Sequence, residues 1–149
     1  MTIDEKIKQT KFRNEYHRLI ANLHFQGLRV IDATEEQLKP FAVSFQQFNL
    51  LSILRGQHPK SASATLLKDR MLDKNSDVSR LIERLRRKGL VERHTCPKDR
   101  RAVDVTITQQ GLALLSSIDD LNCEMEKVVN PLTPDEARQL NELLNKLIS

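Results

Sequence analysis

A stripe of apolar residues with helical spacing constrains the fold of this chain more than any other feature. Four residues fall at positions i, i+3, i+4 and i+7, on one side of a 3.6-residue helix: Val78, Leu81, Ile82 and Leu85. Asn75 or Ser76 is the expected N-cap of this helix, and Gly89 is its expected stop. The pattern therefore predicts a short amphipathic helix whose inner face packs on a core.

Positive charge is concentrated on the outer face of this helix and in the residues that follow it. Ten Lys and Arg and four Asp and Glu lie between Lys74 and Arg101, giving a net charge of +6 in a chain whose total is +4. The rest of the chain holds 14 basic and 16 acidic residues and so sums to −2. The charge is a local feature, and a local excess of cations is what recognition of phosphates requires.

The helix runs directly into a predicted β-hairpin. Leu90–Arg93 reads as a short strand, and Ala102–Ile107 alternates apolar and polar residues as a half-buried strand does. Residues 94–101 between them are polar and interrupted by Pro97, so they are expected to form the turn. This hairpin would project as a basic wing.

Helical patterns also precede the basic segment. Apolar residues at helical spacing run from about Ile3 to Lys39 and predict one helix or two nearly continuous helices. Ser44 is the expected N-cap of a helix that continues to about Gly56, before His58-Pro59 breaks the pattern. Residues 61–71 read as a short helix. A short helix, a turn, a basic helix and a basic-tipped hairpin, in this order, describe a winged helix-turn-helix, whose second helix enters the DNA major groove.

Two further helices are predicted after the wing. Thr108 can cap a helix that starts at Gln109 and continues to about Val129, with Cys123 in its middle. Thr133-Pro134-Asp135-Glu136 has the form of a capping box with proline at the first helical position, so a final helix should begin there. The apolar stripes at both chain ends lack a partner within the winged region. They are expected to bury each other in a symmetric dimer, the alternative being a monomer whose end helices fold onto the winged region.

Several motifs of the basic segment resemble one family. SDVSRLIERLRRKGLVER, then CPKDRR, then VDVTITQQG, are similar to the recognition helix, the "DRR" wing and the "TxxG" helix start of the MarR-type transcriptional regulators. The similarity extends to FQQF and LLSIL upstream and covers nearly the whole chain, although the family's common LTxxELA motif is replaced by Ser63-Ala64-Thr65-Leu66-Leu67. The resemblance implies a mainly α fold in which a winged helix-turn-helix with a small β-hairpin wing is flanked by N- and C-terminal dimerisation helices. It implies a single domain over residues 1–149, with the DNA-binding region at about 41–108 and dimerisation helices at about 1–39 and 109–149.

The candidate DNA contacts lie on the predicted recognition helix and wing: Ser76, Asp77, Ser79, Arg80, Arg84, Arg87, Lys98, Asp99, Arg100 and Arg101. Arg80 is expected to donate two hydrogen bonds to guanine, with Ser76 and Arg84 ranked second and Asp77 orienting an arginine instead. In the wing, Arg101 or otherwise Arg100 is expected to enter the minor groove while Asp99 holds the other in a bidentate pair.

Other classes of function have little support in the sequence. A catalytic triad, nucleophile elbow, phosphate loop and paired carboxylates are all lacking, so an enzyme is not expected. The four histidines show no ligand spacing, and no metal or cofactor is expected. Cys96 in the wing leaves an oxidation switch open, whereas Cys123 is expected to be a small buried or half-buried residue. A run of 18 apolar residues and a signal-peptide core are missing, so neither membrane association nor export is expected and the protein should be cytoplasmic.

These observations predict a homodimeric regulator that binds double-stranded DNA at a pseudo-palindromic operator, most simply as a repressor. The resemblance further implies control by a small aromatic or phenolic effector. The competing interpretation is a winged-helix module that contacts an acidic protein partner without specific DNA binding.

Overall fold

The computed structural model describes residues 1–9, 11–96, 99–121 and 123–148, and for residues 96 and 100 it describes the backbone alone. Eight α-helices occur in this part of the chain: α1 Ile3–Lys6, α2 Glu15–Leu38, α3 Phe45–Gln57, α4 Ala64–Arg70, α5 Val78–Arg87, α6 Gln109–Asp120, α7 Glu124–Val129 and α8 Pro134–Asn145. A 3₁₀ turn over Lys39–Phe41 follows α2. The predicted, mainly α class with a small sheet is confirmed.

A three-stranded antiparallel sheet in the order β1-β3-β2 supports the wing. It consists of β1 Ala62–Ser63, β2 Val91–Cys96 and β3 Asp99–Ile107. The β2–β3 register pairs Val91 with Ile107 and Thr95 with Val103, and it shifts between Thr95 and Cys96. The hairpin was predicted, but its strands extend further toward the tip than expected. The third strand was not predicted.

Chain contacts divide the molecule into two compact units, Gln37–Asn122 and the two chain ends, Met1–Glu36 with Cys123–Ser149. The first unit holds the hydrophobic core, in which Leu50, Leu54, Leu85, Val105 and Leu115 are fully buried. Helix α6 belongs to this core, so the compact unit continues past residue 108. The functional boundaries at 41–108 and 109–149 stay a prediction.

Helix α5 has the predicted apolar face, since Val78, Leu81, Ile82 and Leu85 are all buried. Its stop is also confirmed: Gly89 has φ +77°, a left-handed conformation that favours glycine. The predicted N-cap is wrong, because Asp77 accepts the hydrogen bond from the backbone N–H of Arg80 at 3.1 Å. Three consecutive capping residues, Asn75-Ser76-Asp77, precede this helix, and their types alone could not decide among them.

Three other element boundaries differ from the prediction. The N-terminal helical pattern is interrupted after α1, and α2 begins at Glu15. Ser63 caps α4, so the helix starts later than residue 61 because the preceding residues pair with β3. The long helix after the wing ends at Asp120, and Cys123 precedes α7 and does not lie mid-helix. Asp119 and Asp120 fall in the last turn of α6, where the helix dipole disfavours acidic side chains.

The unit formed by the chain ends leaves much of its apolar surface exposed. The capping box at Thr133 and Glu136 forms as predicted and starts α8, none of whose residues is buried. The large apolar side chains of α2 and α8 that stay exposed include Tyr16, Leu19, Ile20, Leu28, Ile31, Leu140 and Leu143. Within the described ranges, no helix combines the length and apolarity that a membrane span requires.

Candidate nucleic-acid interface

Helix α5 presents a polar outer face opposite its core stripe. Ser79, Arg80, Arg84 and Arg87 are exposed there. Arg80 and Arg84 form no side-chain ion pair within the described part of the chain. An arginine that is not paired with an acidic side chain of its own chain can point its planar guanidinium outward. Its N–H donors are then free to bind guanine or a phosphate.

A turn built on Asp73 fixes where α5 begins. The backbone oxygen of Asp73 accepts the Ser76 hydroxyl at 2.8 Å, and its carboxylate accepts the backbone N–H of Asn75 at 2.9 Å. The other carboxylate oxygen accepts a hydrogen bond from Gln46 of α3 at 3.1 Å. Ser76 is therefore held inside this turn and is only 5% exposed. Its role as a DNA contact is untested, and its hydroxyl is already engaged.

The C-terminal end of α5 is tied to the start of α3. The Lys88 ammonium donates to the backbone oxygen of Ala42 at 2.7 Å and to the amide oxygen of Gln47 at 3.3 Å. Gln47 also completes the N-terminal capping box of α3 with Ser44. Both ends of the helix are thus anchored to α3, which holds its outer face at a fixed orientation within the unit.

The Glu83 carboxylate on α5 contacts three arginines. The Glu83 side chain accepts two hydrogen bonds from Arg86, at 2.7 and 3.0 Å, and one from Arg87 at 3.2 Å. It also lies 3.8 Å from a terminal nitrogen of Arg93 on β2. The hydrogen bonds and charge of Arg86, with those of Arg87, lower the pKa of Glu83 from 4.5 to about 2. Glu83 was not among the predicted site residues.

In the wing, the Asp99 side chain forms a hydrogen bond with the backbone. Its carboxylate accepts the backbone N–H of Arg101 at 2.9 Å, and both residues are exposed. Within the described residues Asp99 forms no ion pair with the Arg101 guanidinium. The part of the wing that the structure describes therefore lacks the predicted alternative in which Asp99 pairs with Arg101 and Arg100 enters the minor groove. Lys98 and the side chain of Arg100 lie outside the described residues, and a pair between Asp99 and Arg100 stays a prediction.

Two hollows flank the outer face of α5. A cavity of about 140 Å³ separates α5 from the wing and is lined by Ala64, Ser79, Ile82, Arg93, Arg101 and Val103. A shallow groove of about 450 Å³ lies between the starts of α4 and α5, where Lys68 faces Ser76, Asp77 and Ser79. Ser79 lines both hollows, and the first of them brings this helix residue together with Arg101 of the wing.

Sequence reasoning missed Glu83 and Lys88. A signal for Glu83 existed, because an acid three and four residues before two arginines is spaced for helical ion pairs. The contact with Arg93 needs the tertiary fold, as does the contact of Lys88 with Ala42, 46 residues away.

The described residues give no support to a metal site. They contain no group of three or more His, Cys, Asp or Glu side chains that could hold an ion. Cys123 is a free, partly buried thiol. The side chain of Cys96, and with it the redox hypothesis, lies outside the described residues.

Comparisons with known proteins agree on one family. A model of the MarR family matches residues 43–102. The transcriptional regulator PecS of Dickeya dadantii is 24% identical over 131 residues, covering 87% of this chain and 79% of PecS. A MarR transcription factor of Planctomyces limnophilus is 32% identical with a TM-score of 0.70, covering 91% of this chain and 98% of that one. A mutant of Escherichia coli MarR in complex with operator DNA is 27% identical with a TM-score of 0.77, covering 94% and 100%.

Proposed function

Because this chain belongs to the MarR family of transcriptional regulators, which are DNA-binding proteins and not enzymes, we propose that it is a homodimeric repressor of a pseudo-palindromic operator. We further propose that a small aromatic or phenolic acid releases it from DNA. The observation that carries the DNA-reading role is the pair of exposed arginines, Arg80 and Arg84, on an α5 anchored at both ends.

Arg80 is the proposed base-reading residue. It lies on the outer face near the helix start, with its backbone N–H bound by Asp77 and its side chain exposed. A guanidinium in this position can donate to both O6 and N7 of guanine. Ser79, Arg84 and Arg87 border it and are proposed to bind phosphates or neighbouring base edges.

The wing is proposed to add a minor-groove contact. The Asp99 carboxylate fixes the backbone of Arg101, an arrangement that supports an orienting role for the acid. An arginine suits the narrow, electronegative minor groove of A/T-rich DNA. Lys98 and Arg100 complete the proposed wing contacts.

The dimer is proposed to form through the two chain ends. Tyr16 is 78% exposed on α2 and Leu143 is 58% exposed on α8, and both lie among other exposed apolar side chains. Such faces need a partner, and a two-fold symmetric pair is the commonest closed arrangement. Two recognition helices would then meet major grooves about 34 Å, or roughly 10 base pairs, apart.

Selection of bound duplexes from a random DNA pool tests this proposal. We expect enrichment of sequences with two inverted half-sites about one helical turn apart. Binding to the enriched duplex is then repeated with a panel of aromatic acids, one of which should weaken it, and with oxidants to examine the cysteines. A pool without any enriched sequence would favour a winged-helix module that contacts an acidic protein.

A further inference from the structure

Glu83 places a carboxylate on the helix that is proposed to read DNA. It lies between Ser79 and Arg87 on the outer side of α5, where a negative charge opposes phosphate binding, yet it contacts three cationic side chains. We propose that Glu83 is a specificity-determining positioning residue, which withholds Arg86 and Arg93 from DNA so that Arg80 and Arg84 dominate recognition.

The contacts with Arg86 carry the argument. Two nitrogens of one guanidinium meet the two oxygens of one carboxylate, which is the bidentate geometry of a strong, oriented pair. A guanidinium held in this way has fewer donors available to a phosphate. The same pairing raises the pKa of Arg86, so the arginine stays charged while its charge is locally neutralised.

Arg93 extends the network from the helix to the wing. It lies on β2, and its terminal nitrogen is 3.8 Å from the Glu83 oxygen that also accepts from Arg86. Glu83 thereby connects α5 to the strand that leads into the wing. Arg87 is affected less, because Glu83 engages its Nε while its side chain remains 72% exposed.

Withholding cations changes specificity because phosphate contacts are independent of sequence. Each phosphate neutralised adds about −0.9 to the slope of log affinity against log salt, and it strengthens random and specific binding alike. A helix that presents all its arginines would bind any duplex. This inference rests on the proposed DNA binding and adds to it an acid that limits sequence-independent attraction.

The test compares Glu83→Gln with Glu92→Gln, measuring affinity for a random duplex at 50 and 200 mM salt. Each variant removes one negative charge, but Glu92 on β2 is exposed and its described ion pair is with His94 alone, at 3.7 Å. If Glu83→Gln frees two arginines in each protomer of the proposed dimer, four further phosphate contacts should steepen its salt slope by about 3.6, and its affinity ratio between the two salts should grow roughly 150-fold. Glu92→Gln should change the slope by less than half as much. The ratio of selected-site to random affinity should fall for Glu83→Gln alone.

Equal changes in both variants would overturn the inference, since Glu83 would then act only through net charge. A flatter slope in Glu83→Gln would overturn it too, because the carboxylate would be needed to present arginines to DNA.

Arg86→Gln gives an independent readout if Glu83→Gln does not fold. We expect it to leave the salt slope within about 0.6 of wild type, whereas Arg84→Gln, which removes one contact from each protomer, should make the slope shallower by about 1.8. A slope shallower by about 1.8 in Arg86→Gln would show that Arg86 already binds phosphate in both protomers. Wild-type protein without salt-dependent DNA binding would refute the proposed function itself.

Discussion

Substituting Gly111 with alanine should displace the wing from the core. Gly111 lies in the first turn of α6, where an added Cβ would be 2.4 Å from the backbone oxygen of Leu90 and 2.7 Å from a side-chain carbon of Ile107. Ordinary contacts begin at 3.4 Å, so α6 and the start of β2 would have to separate by about 1 Å. The Leu90 oxygen cannot move freely, because it accepts the backbone N–H of Thr108 at 3.1 Å.

The expected cost follows from overpacking against a fixed backbone. Inserting a methyl group into a well-packed core costs about 1–3 kcal/mol, and the backbone contact places Gly111→Ala near the upper end. The gain in helix propensity on replacing glycine by alanine offsets about 0.5–1 kcal/mol. We therefore expect a net loss of about 2 kcal/mol in the free energy of unfolding.

Urea unfolding of Gly111→Ala beside a matched Gly56→Ala variant measures this effect. Gly56 is near the end of α3, and its added Cβ would meet nothing within 4 Å. Gly56→Ala should be neutral or more stable by up to about 1 kcal/mol. If Gly111→Ala were as stable as wild type, the close packing of α6 on the base of the wing would be refuted.

Four further outcomes are expected. Arg80→Ala should weaken operator binding by about 1–3 kcal/mol and relax preference at one base pair per half-site, whereas an equal loss on random DNA would make it a phosphate contact. Deleting Met1–Lys11 together with Thr133–Ser149 should give monomers or aggregates by sedimentation, and a well-folded monomer with wild-type operator affinity would refute the interface. Asp99→Ala should weaken operator binding in a titration although it removes a negative charge, because the Arg101 backbone loses its acceptor; tighter binding would leave the wing a simple cationic patch. Because folding lowers the pKa of Glu83, the ionised carboxylate stabilises the folded protein above pH 4.5, and this stability is lost as the pH falls toward about 2. The urea midpoint of Glu83→Gln should therefore depend less on pH over that range than the midpoint of wild type.

The sequence was informative where a local pattern repeats or a cap is unambiguous. Helix α5 was predictable because four apolar residues share one face and Gly89 supplies the left-handed stop. The capping box at Thr133 was predictable because proline and glutamate occupy their expected places after it. Both signals depend on neighbouring residues alone.

The remaining features depend on contacts between distant residues. A two-residue strand such as β1 shows no period, and it exists because Ala62 and Ser63 pair with β3. Ser76 appeared to belong to the outer helical face, but it precedes the helix and is held by Asp73. The approach of Arg93 on β2 to the acid that binds Arg86 and Arg87 likewise required the fold.

The salt dependence of wild-type binding to a random duplex tests the central claim most directly. If Arg84 and Arg87 of both protomers neutralise phosphates, four contacts should give a slope of log affinity against log salt at least as steep as about −3.6. A slope near zero would contradict the account, because the basic face of α5 would then not bind the DNA backbone.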